Sequence, residues 1–478
     1  MIWRLALACL ILTAMLGRAS ANGRPPGTSS ITFRQGQETD VAVGLTFGFL
    51  ISHDAGKTWS WMCEDAVGYK GMYDPRFAFS QTGAVFATTF TGLKVVRDSC
   101  TFGATPAGTA FASADALGPD HAFYYAAAQA ADAANKIPAD FNIYRSTDDG
   151  LTFPTKAAPA AAVNWWQSLQ VAPSNAQRLY LSGYAFMPGP GGVGTVKQQL
   201  LFRSDNGGTS WTPLPIDTAV VTFAPNSVID IVGIGGIDNP DVVYMRVELY
   251  DNTTSDAIWR SLDAGLTWKP IRSKSASIGA FAVRAAVNTQ GKHDLIVGTQ
   301  ALGAEISHDD GITWAPLAGA PHMSCLVENA AGELWACTQN YGFSSVPSDN
   351  AGIMKTTDLV TWTKVLRYQD LKEVVACAPG TIQRDTCAAM WCSVCQQLGC
   401  APSASYGCPV AAETPVTMTP RGSSGGCCET GIGSGGSMAV GLVVGMLILR
   451  PRRRRETPCN PSSAPSTGSR IARSTGHS

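Results

Sequence analysis

Residues Ser307–Trp314 read SHDDGITW, and variants of this octapeptide recur along the chain. The copies Ser52–Trp59 (SHDAGKTW) and Ser261–Trp268 (SLDAGLTW) keep the serine, aspartate, glycine, threonine and tryptophan. Phenylalanine ends the copy Ser146–Phe153 (STDDGLTF), and asparagine replaces the aspartate in Ser204–Trp211 (SDNGGTSW). Five copies of one short pattern identify the chain as an internal repeat, which decides the fold class before any single residue does.

Two weaker copies complete the series. Thr356–Trp362 (TTDLVTW) is one residue short and lacks the glycine, and Arg97–Phe102 (RDSCTF) is a degenerate copy. The copies begin at positions 52, 97, 146, 204, 261, 307 and 356. A period of roughly fifty residues is typical of propeller blades. The spacing therefore predicts seven repeat units.

The stretches between the copies are β-prone. Val41–Leu45 and Leu295–Thr299 are short apolar runs that end in glycine or threonine, and Ala257–Arg260 leads directly into a copy. Three to four such strands in each unit, repeated seven times, predict a β-propeller. We expect an all-β fold in which residues 22–372 form a seven-bladed propeller.

The repeated aspartates suggest a carboxylate cluster, but each residue of the octapeptide has a role in making a turn. Aspartate accepts backbone N–H bonds within its own turn, glycine adopts a positive φ, and tryptophan packs between sheets. No calcium-loop pattern follows the paired aspartates, and the histidines lack metal-ligand spacing. We predict no metal, no cofactor and no catalytic residue, and a structural role for Asp54, Asp148, Asn206, Asp263, Asp309 and Asp358.

The octapeptide resembles the Asp-box, also called the bacterial neuraminidase (BNR) repeat, of sialidases and sortilin-like propellers. The resemblance covers roughly residues 30–371 and implies a β-propeller. It also implies that each copy joins the third and fourth strands of a blade, on the rim opposite the ligand-binding rim. Because these families have unrelated activities, the resemblance is informative about the fold rather than the function.

The opposite rim is expected to carry the binding site, because it holds long connections. These are predicted as loops at Cys63–Asp74, Pro154–Trp166, Tyr184–Lys197, Leu249–Ala257 and Asn340–Gly352. Any single aromatic residue there has the alternative of packing beneath its own loop. Since neighbours on a strand face opposite sides, at most one of Trp165 and Trp166 faces the core. The candidate ligand-binding residues are Trp165, Trp166, Tyr184, Tyr250, Tyr341, Glu64, Arg76 and Glu248.

The composition limits the possible functions. The chain has 478 residues, 45% of them hydrophobic and only 15% charged, with 35 basic against 36 acidic residues. A net charge of −1 gives no reason to expect a nucleic-acid partner. We expect a non-catalytic module that binds an extracellular glycan or a surface protein. The alternative is a sialidase-like glycoside hydrolase, although the sialidase arginine signature is reduced here to Phe33-Arg34-Gln35-Gly36, without Ile-Pro.

The chain has 14 cysteines, and their number suits an oxidising compartment. Cys325 and Cys337 flank a turn and are expected to bridge adjacent strands. Cys63 and Cys100 remain as a pair by elimination. Residues 373–410 are expected to form a small disulfide-rich segment, held by three bridges among Cys377, Cys387, Cys392, Cys395, Cys400 and Cys408.

Both ends carry targeting signals. Residues 1–21 have the charge, apolar stretch and small-residue cleavage site of a signal peptide. At the other end lie a flexible linker (411–437), an apolar segment with an arginine cluster (438–455) and a polar tail (456–478). The motif around Cys427 and Cys428 resembles a myxobacterial C-terminal sorting tag. We expect an exported, surface-displayed or secreted protein with a transmembrane or sorting helix that contacts the membrane before processing.

Overall fold

The computed structural model describes residues 25–401, apart from 70–72, 99, 190–191, 218–226, 236–237, 249–255 and 344–345. Seven antiparallel sheets, each with four strands of its own, follow one another along the chain. They confirm the predicted all-β, seven-bladed propeller. We number the blades one to seven in chain order, and the first strand of each blade is the innermost.

The strands of blades one to four comprise the first half of the propeller. Their bounds are β1 (Thr28–Phe33), β2 (Val41–Leu45), β3 (Gly48–Ser52), β4 (Ser60–Met62), β5 (Phe77–Phe79), β6 (Val85–Thr89), β7 (Gly92–Val96), β8 (Gly103–Ala104), β9 (Ala112–Leu117), β10 (Phe123–Ala127), β11 (Ile143–Ser146), β12 (Thr155–Ala157), β13 (Trp165–Ala172), β14 (Asn175–Pro188), β15 (Thr195–Ser204) and β16 (Thr212–Pro213).

Blades five to seven complete the propeller, and one short strand follows them. These strands are β17 (Val228–Ile234), β18 (Val243–Glu248), β19 (Asp256–Ser261), β20 (Lys269–Lys274), β21 (Ile278–Val287), β22 (His293–Thr299), β23 (Gly303–Ser307), β24 (Ala315–Pro316), β25 (Met323–Glu328), β26 (Leu334–Thr338), β27 (Ile353–Thr356), β28 (Thr363–Leu366) and β29 (Glu373–Val374).

Each copy of the octapeptide joins the third and fourth strands of its blade, as between β23 and β24. We call these connections the repeat turns, and the rim that carries them the repeat rim. Since strands alternate in direction, the opposite rim, here the top rim, holds the connections between second and third strands and between blades.

The sequence after the last blade returns to the first. Strand β29 pairs in parallel with β4, so that Glu373 lies opposite Ser60, and becomes a fifth strand on the outer edge of blade one. A four-residue helix, α1 (Glu64–Val67), follows blade one, and helix α2 (Ala388–Leu398) follows β29 after a helical turn at Gln383–Cys387. The Trp391 ring of α2 lies 5.0 Å from that of Trp61, so α2 packs against blade one.

Disulfide pairing differs from the sequence prediction in one respect. The structure contains the expected Cys325–Cys337 bridge between β25 and β26. Cys63 and Cys100 do not pair with each other. They bond to Cys387 and Cys377 respectively, because the segment after the last blade folds back over blades one and two.

The expected self-contained set of three bridges after the propeller is therefore wrong for two of its cysteines. Within that segment Cys395 bonds to Cys400, and Cys392 is also disulfide-bonded. Cys408 lies outside the described residues, as do the signal peptide, the linker, the apolar segment with its arginine cluster and the polar tail. Among the described residues, no helix has the length and apolar character needed to span a membrane.

Candidate functional site

Each full repeat turn donates hydrogen bonds to the side chain of its own aspartate or asparagine. In the turn of blade six, Asp309 Oδ1 accepts bonds from the Ser307 hydroxyl (2.8 Å) and the Thr313 amide (2.8 Å), and Oδ2 accepts one from the Thr313 hydroxyl (2.6 Å). These hydrogen bonds, chiefly from Thr313, lower the pKa of Asp309 to about 2. A carboxylate engaged in this way is a turn element. The same arrangement recurs at Asp54, Asp148, Asn206, Asp263 and Asp358.

The top rim instead brings four aromatic rings together, from blades two to four. Phe90 in the β6–β7 turn stacks on Phe111 at 4.6 Å, and Phe111 lies 4.6 Å from Trp165. Tyr73 contacts all three rings, at 4.7 Å from Phe90, 5.8 Å from Phe111 and 6.0 Å from Trp165. We call Tyr73, Phe90, Phe111 and Trp165 the aromatic ladder. Phe90 is 53% exposed, which leaves one end of the ladder open to solvent.

A hairpin continues the aromatic surface on blade four. Trp165 pairs across the strands with Tyr184, whose ring lies 5.6 Å from the exposed Phe186. The Lys197 ammonium lies 4.1 Å from the centre of the Tyr184 ring, a cation–π contact. Burial lowers the pKa of Lys197, although the Glu248 carboxylate opposes this shift.

The predicted loop Tyr184–Lys197 is largely strand. The strands β14 and β15 pair without interruption from Leu179 to Pro188, so Tyr184 lies on a regular sheet. The predicted loop Pro154–Trp166 likewise contains β12, and Cys63–Asp74 contains α1. These long stretches of mixed polarity are predicted as loops, but each contains a regular element.

Charged groups lie beside the aromatic ladder. The Arg76 guanidinium donates to the backbone oxygen of Gln167 at 2.8 Å, so it reaches from blade two to blade four. Between them on blade three lies Asp115, whose pKa is raised to about 6 by burial, with Arg76 acting in the opposite direction. Burial also raises the pKa of Tyr73 to about 12. Both Asp74 and Asp115 act electrostatically on Tyr73, so two carboxyl groups lie near one phenol.

A second charged group lies on blade five. The Arg246 guanidinium pairs with Asp230 and, at 3.0 Å, with Glu248. Burial alone would lower the pKa of Arg246, but the two carboxylates raise it. The oxygen Asp230 Oδ1 is buried without a hydrogen-bond partner among the described residues. Glu248 is thus paired with Arg246.

The structure places the other described candidates in the blade core, beneath α2 and in α1. Trp166 is fully buried in the core of blades three and four, and so it is Trp165 that faces the rim. The Tyr341 hydroxyl donates to the backbone oxygen of Leu398, which places Tyr341 beneath helix α2. Glu64 lies in the first turn of α1. Tyr250 lies outside the described residues.

The sialidase-type arginine is also displaced. Arg34 follows the end of β1 at the repeat rim, where its Nη1 pairs with Asp40 Oδ2 at 2.9 Å and its Nε donates to the backbone of Gln81. An arginine in this place is on the wrong rim to clamp a ligand at the aromatic ladder. Among the described residues, no group of three histidine, cysteine, aspartate or glutamate side chains is placed to hold a metal ion.

Four residues of the surface were missed from the sequence: Tyr73, Phe90, Phe111 and Asp115. Phe90 lies in a tight turn, Thr89-Phe90-Thr91-Gly92, where an apolar residue between two β-prone runs was a usable signal. The other three precede or lie on inner strands. Tyr73 falls within the predicted rim loop Cys63–Asp74, which was a usable signal, whereas nothing in the local sequence distinguishes Phe111 and Asp115 from core residues.

No protein-family model matches the chain, and no curated protein matches it either. Among solved structures, the fold is similar to an ancestral GH74 enzyme, with a TM-score of 0.46 and 14% identity over 66% of this chain and 44% of that one. The extracellular domain of a B. thetaiotaomicron protein described as a one component system has a TM-score of 0.44 and 12% identity, over 66% of this chain and 38% of that one. YCF48 from Cyanidioschyzon merolae has a TM-score of 0.40 and 12% identity, over 65% of this chain and 92% of that one. The matched part thus spans less than half of each of the first two chains.

Proposed function

We propose that this chain is an exported propeller with Asp-box turns, whose top rim binds an extracellular glycan without catalysis. The aromatic ladder carries the proposal. Aromatic rings offer a rigid apolar face at low entropic cost, and the neighbouring polar groups supply orientation. Sugar rings combine an apolar face with a hydroxylated edge, and so they suit a ring platform bordered by charged groups.

The disulfides between the propeller and the segment after it indicate an extracellular location. Display at the cell surface, with membrane contact through residues 438–455 before processing at Cys427 or Cys428, is part of the proposal. A surface protein is the other partner class, since exposed aromatic residues also serve as protein anchors.

The proposal is tested by binding to immobilised neutral and sialylated polysaccharides, with bound protein and released reducing sugar measured together. Phe90→Ala removes the solvent-exposed ring at the edge of the ladder, and we expect it to weaken retention by tenfold or more. The matched control is Leu151→Ala, which removes a side chain of similar exposure (61%) from the repeat rim. Equal retention of both variants, or no retention of the unmodified chain, would contradict glycan binding at this surface.

A glycoside hydrolase remains the second candidate, and Asp115 is the observation that favours it. A carboxyl group with a pKa near 6 is protonated often enough at neutral pH to act as a general acid. Such an enzyme also needs a second carboxyl group about 5–10 Å away. Asp74 is the candidate for that role. If the unmodified chain releases sugar and Asp115→Asn does not, the hydrolase proposal replaces the binding proposal.

A further inference from the structure

One hairpin on the top rim is much longer than its counterparts in the other blades. In blade four the second strand, β14, has 14 residues and the third strand, β15, has 10. As the structure describes the other six blades, their second strands have 5 to 7 residues and their third strands 4 to 6. Six blades are therefore complete without the length that blade four adds.

The added length rises above the rim as a two-stranded ribbon. Counted from the repeat turn, the second and third strands of blade one form 5 residue pairs, and those of blade four form 10. At about 3.4 Å per residue, the additional pairs extend roughly 17 Å beyond the end of a standard blade. They comprise residues 184–188 and 195–199, which we call the blade-four hairpin.

The blade-four hairpin places apolar side chains in solvent. Phe186 is 39% exposed, and Met187 and Val196 are exposed to a greater extent. A two-stranded ribbon is at best marginally stable by itself, and apolar groups left in water add nothing to its stability. Exposed apolar groups that lie together mark binding surfaces. The composition of the hairpin is therefore explained by contact with a ligand rather than by the needs of the fold.

Hydrogen bonds fix the base of the hairpin beside the aromatic ladder. The Phe186 amide donates to the side-chain oxygen of Asn164 at 2.7 Å, and Asn164 immediately precedes Trp165 of the ladder. On the side of blade five, the Gln199 side chain donates to the backbone oxygen of Ser227 at 2.7 Å. Both strands of the hairpin are thus braced, so Phe186 is held in a defined position relative to Trp165.

The ladder and the hairpin together form a path of rings with an exposed ring at each end. From the exposed Phe90 the path runs through Phe111 to Trp165, with ring centres 4.6 Å apart at each step. Trp165 lies opposite Tyr184 in the sheet, and the Tyr184 ring lies 5.6 Å from that of Phe186. Opposed residues on neighbouring strands have Cβ atoms about 5 Å apart. Three residues thus separate the two exposed rings, whereas one sugar ring covers about the area of one phenyl ring.

We propose that the top rim binds a run of several linked sugars within a polysaccharide, rather than a single terminal sugar. The chain lies on the aromatic ladder and continues along the blade-four hairpin to Phe186. This inference rests on the proposed glycan-binding function and specifies the length of its ligand. A disaccharide contacts the ladder alone, and a longer chain also reaches Phe186. Because each ring contact contributes only when the chain is long enough to make it, the affinity rises with chain length.

The test is a calorimetric titration of the purified full chain with glycan fragments of two, four and six sugars. The fragments come from β-1,4-glucan and from α-2,8-linked polysialic acid, which serve as the neutral and sialylated polysaccharides of the retention assay. For the polysaccharide that is retained, we expect the six-sugar fragment to bind at least tenfold more tightly than the two-sugar fragment. Phe186→Ala is expected to abolish this gain without changing the binding of the two-sugar fragment. Phe186→Tyr keeps a ring and is expected to keep the gain.

The matched control is Phe343→Ala, because Phe343 is a 59% exposed phenylalanine on the same rim, between β26 and β27 of blade seven. It is expected to bind every fragment like the unmodified chain, whereas Phe90→Ala weakens the binding of every length. Equal thermal unfolding midpoints check that the variants are folded.

The outcomes separate this inference from the function on which it rests. If a polysaccharide is retained but its two-sugar and six-sugar fragments bind equally, or the six-sugar fragment does not bind, the inference about length is wrong and glycan binding stands. The same holds if Phe186→Ala binds the six-sugar fragment like the unmodified chain. If neither polysaccharide is retained, both proposals fail.

Discussion

At the scale of single residues, the aspartates of the repeat turns and Asp115 show opposite responses to their surroundings. Hydrogen bonds from Thr152 and Ser146 lower the pKa of Asp148 to about 2, so its charge is favoured in the folded state. Burial raises the pKa of Asp115 to about 6, so its charge is disfavoured there. The same residue type therefore stabilises the fold at the repeat rim and destabilises it at the top rim at neutral pH.

The turn aspartates contribute stability that is present above the unfolded pKa of about 4 and lost as the pH falls towards 2. We expect Asp148→Asn to lower the free energy of unfolding at pH 7 by about 1 kcal/mol or less. Its loss of stability between pH 4 and pH 2 will be smaller than that of the unmodified chain. Thermal unfolding at several pH values measures both effects.

The reciprocal variant is Asn206→Asp, which adds a carboxylate to the one turn among the six that holds an amide. It is expected to gain stability above pH 4 and to lose that gain by pH 2. Identical acid profiles for the two variants would contradict the assignment of the turn aspartates.

For Asp115 the sign is reversed, because its pKa is raised on folding. The stability it contributes is present below pH 4 and is lost as the pH rises through about 6. Asp115→Asn is therefore expected to raise the free energy of unfolding at pH 7.5 by roughly 1–2 kcal/mol, and to have less effect at pH 4. If Asp115→Asn is less stable than the unmodified chain at pH 7.5, the favourable interaction of the Asp115 carboxylate with Arg76 outweighs the cost of burying its charge.

At the scale of elements, the five full repeat turns combine a left-handed glycine with packing against the preceding blade. Gly311 has φ +84°, and a Cβ there would lie 3.0 Å from two carbons of Ile271. Gly291, in the β21–β22 turn, has φ +72° but open space around it. Comparison of the two positions separates the cost of a left-handed backbone conformation from the cost of steric overlap at an added Cβ.

We expect Gly291→Ala to cost about 1–2 kcal/mol of unfolding free energy, the penalty of a left-handed conformation for alanine. Gly311→Ala is expected to cost about 1–3 kcal/mol more, because the added carbon also overpacks against Ile271. Chemical denaturation of both variants measures the difference. Equal costs would mean that the blades separate enough to accept the extra carbon.

At the scale of the whole molecule, the chain after the last blade holds the first two blades. Parallel pairing of β29 with β4 and packing of α2 on Trp61 accompany two disulfides that span 324 and 277 residues. While either disulfide is intact, it keeps the ends of the propeller linked in the unfolded state. The second bridge then closes a much shorter loop than its sequence separation suggests.

Removal of Cys63–Cys387 alone, by serine at both positions, is expected to cost about 2–4 kcal/mol. Removal of Cys100–Cys377 as well is expected to cost more than the first step, because that bridge by then closes its full 277-residue loop instead of a short one. Denaturation of the single and double variants measures the two steps. If the stability lost in the double variant equals the sum of the losses in the two single variants, each bridge stabilises only its own surroundings.

The sequence by itself determined the blade number and the Cys325–Cys337 bridge, and the resemblance to Asp-box propellers implied the strand order around each repeat turn. Each of these depends on residues close together in the chain: the hydrogen bonds of Asp309 all lie within eight residues. Local chemistry of this kind repeats whenever the octapeptide repeats, and so it is visible as a pattern.

Only the tertiary structure decided which cysteines meet and which side chains share a surface. Phe90, Phe111 and Trp165 come from three blades, and Cys63 meets Cys387 across the closed ring. Such features depend on how separate blades face one another, and a periodic sequence specifies the blades much more directly than the irregular contacts between them.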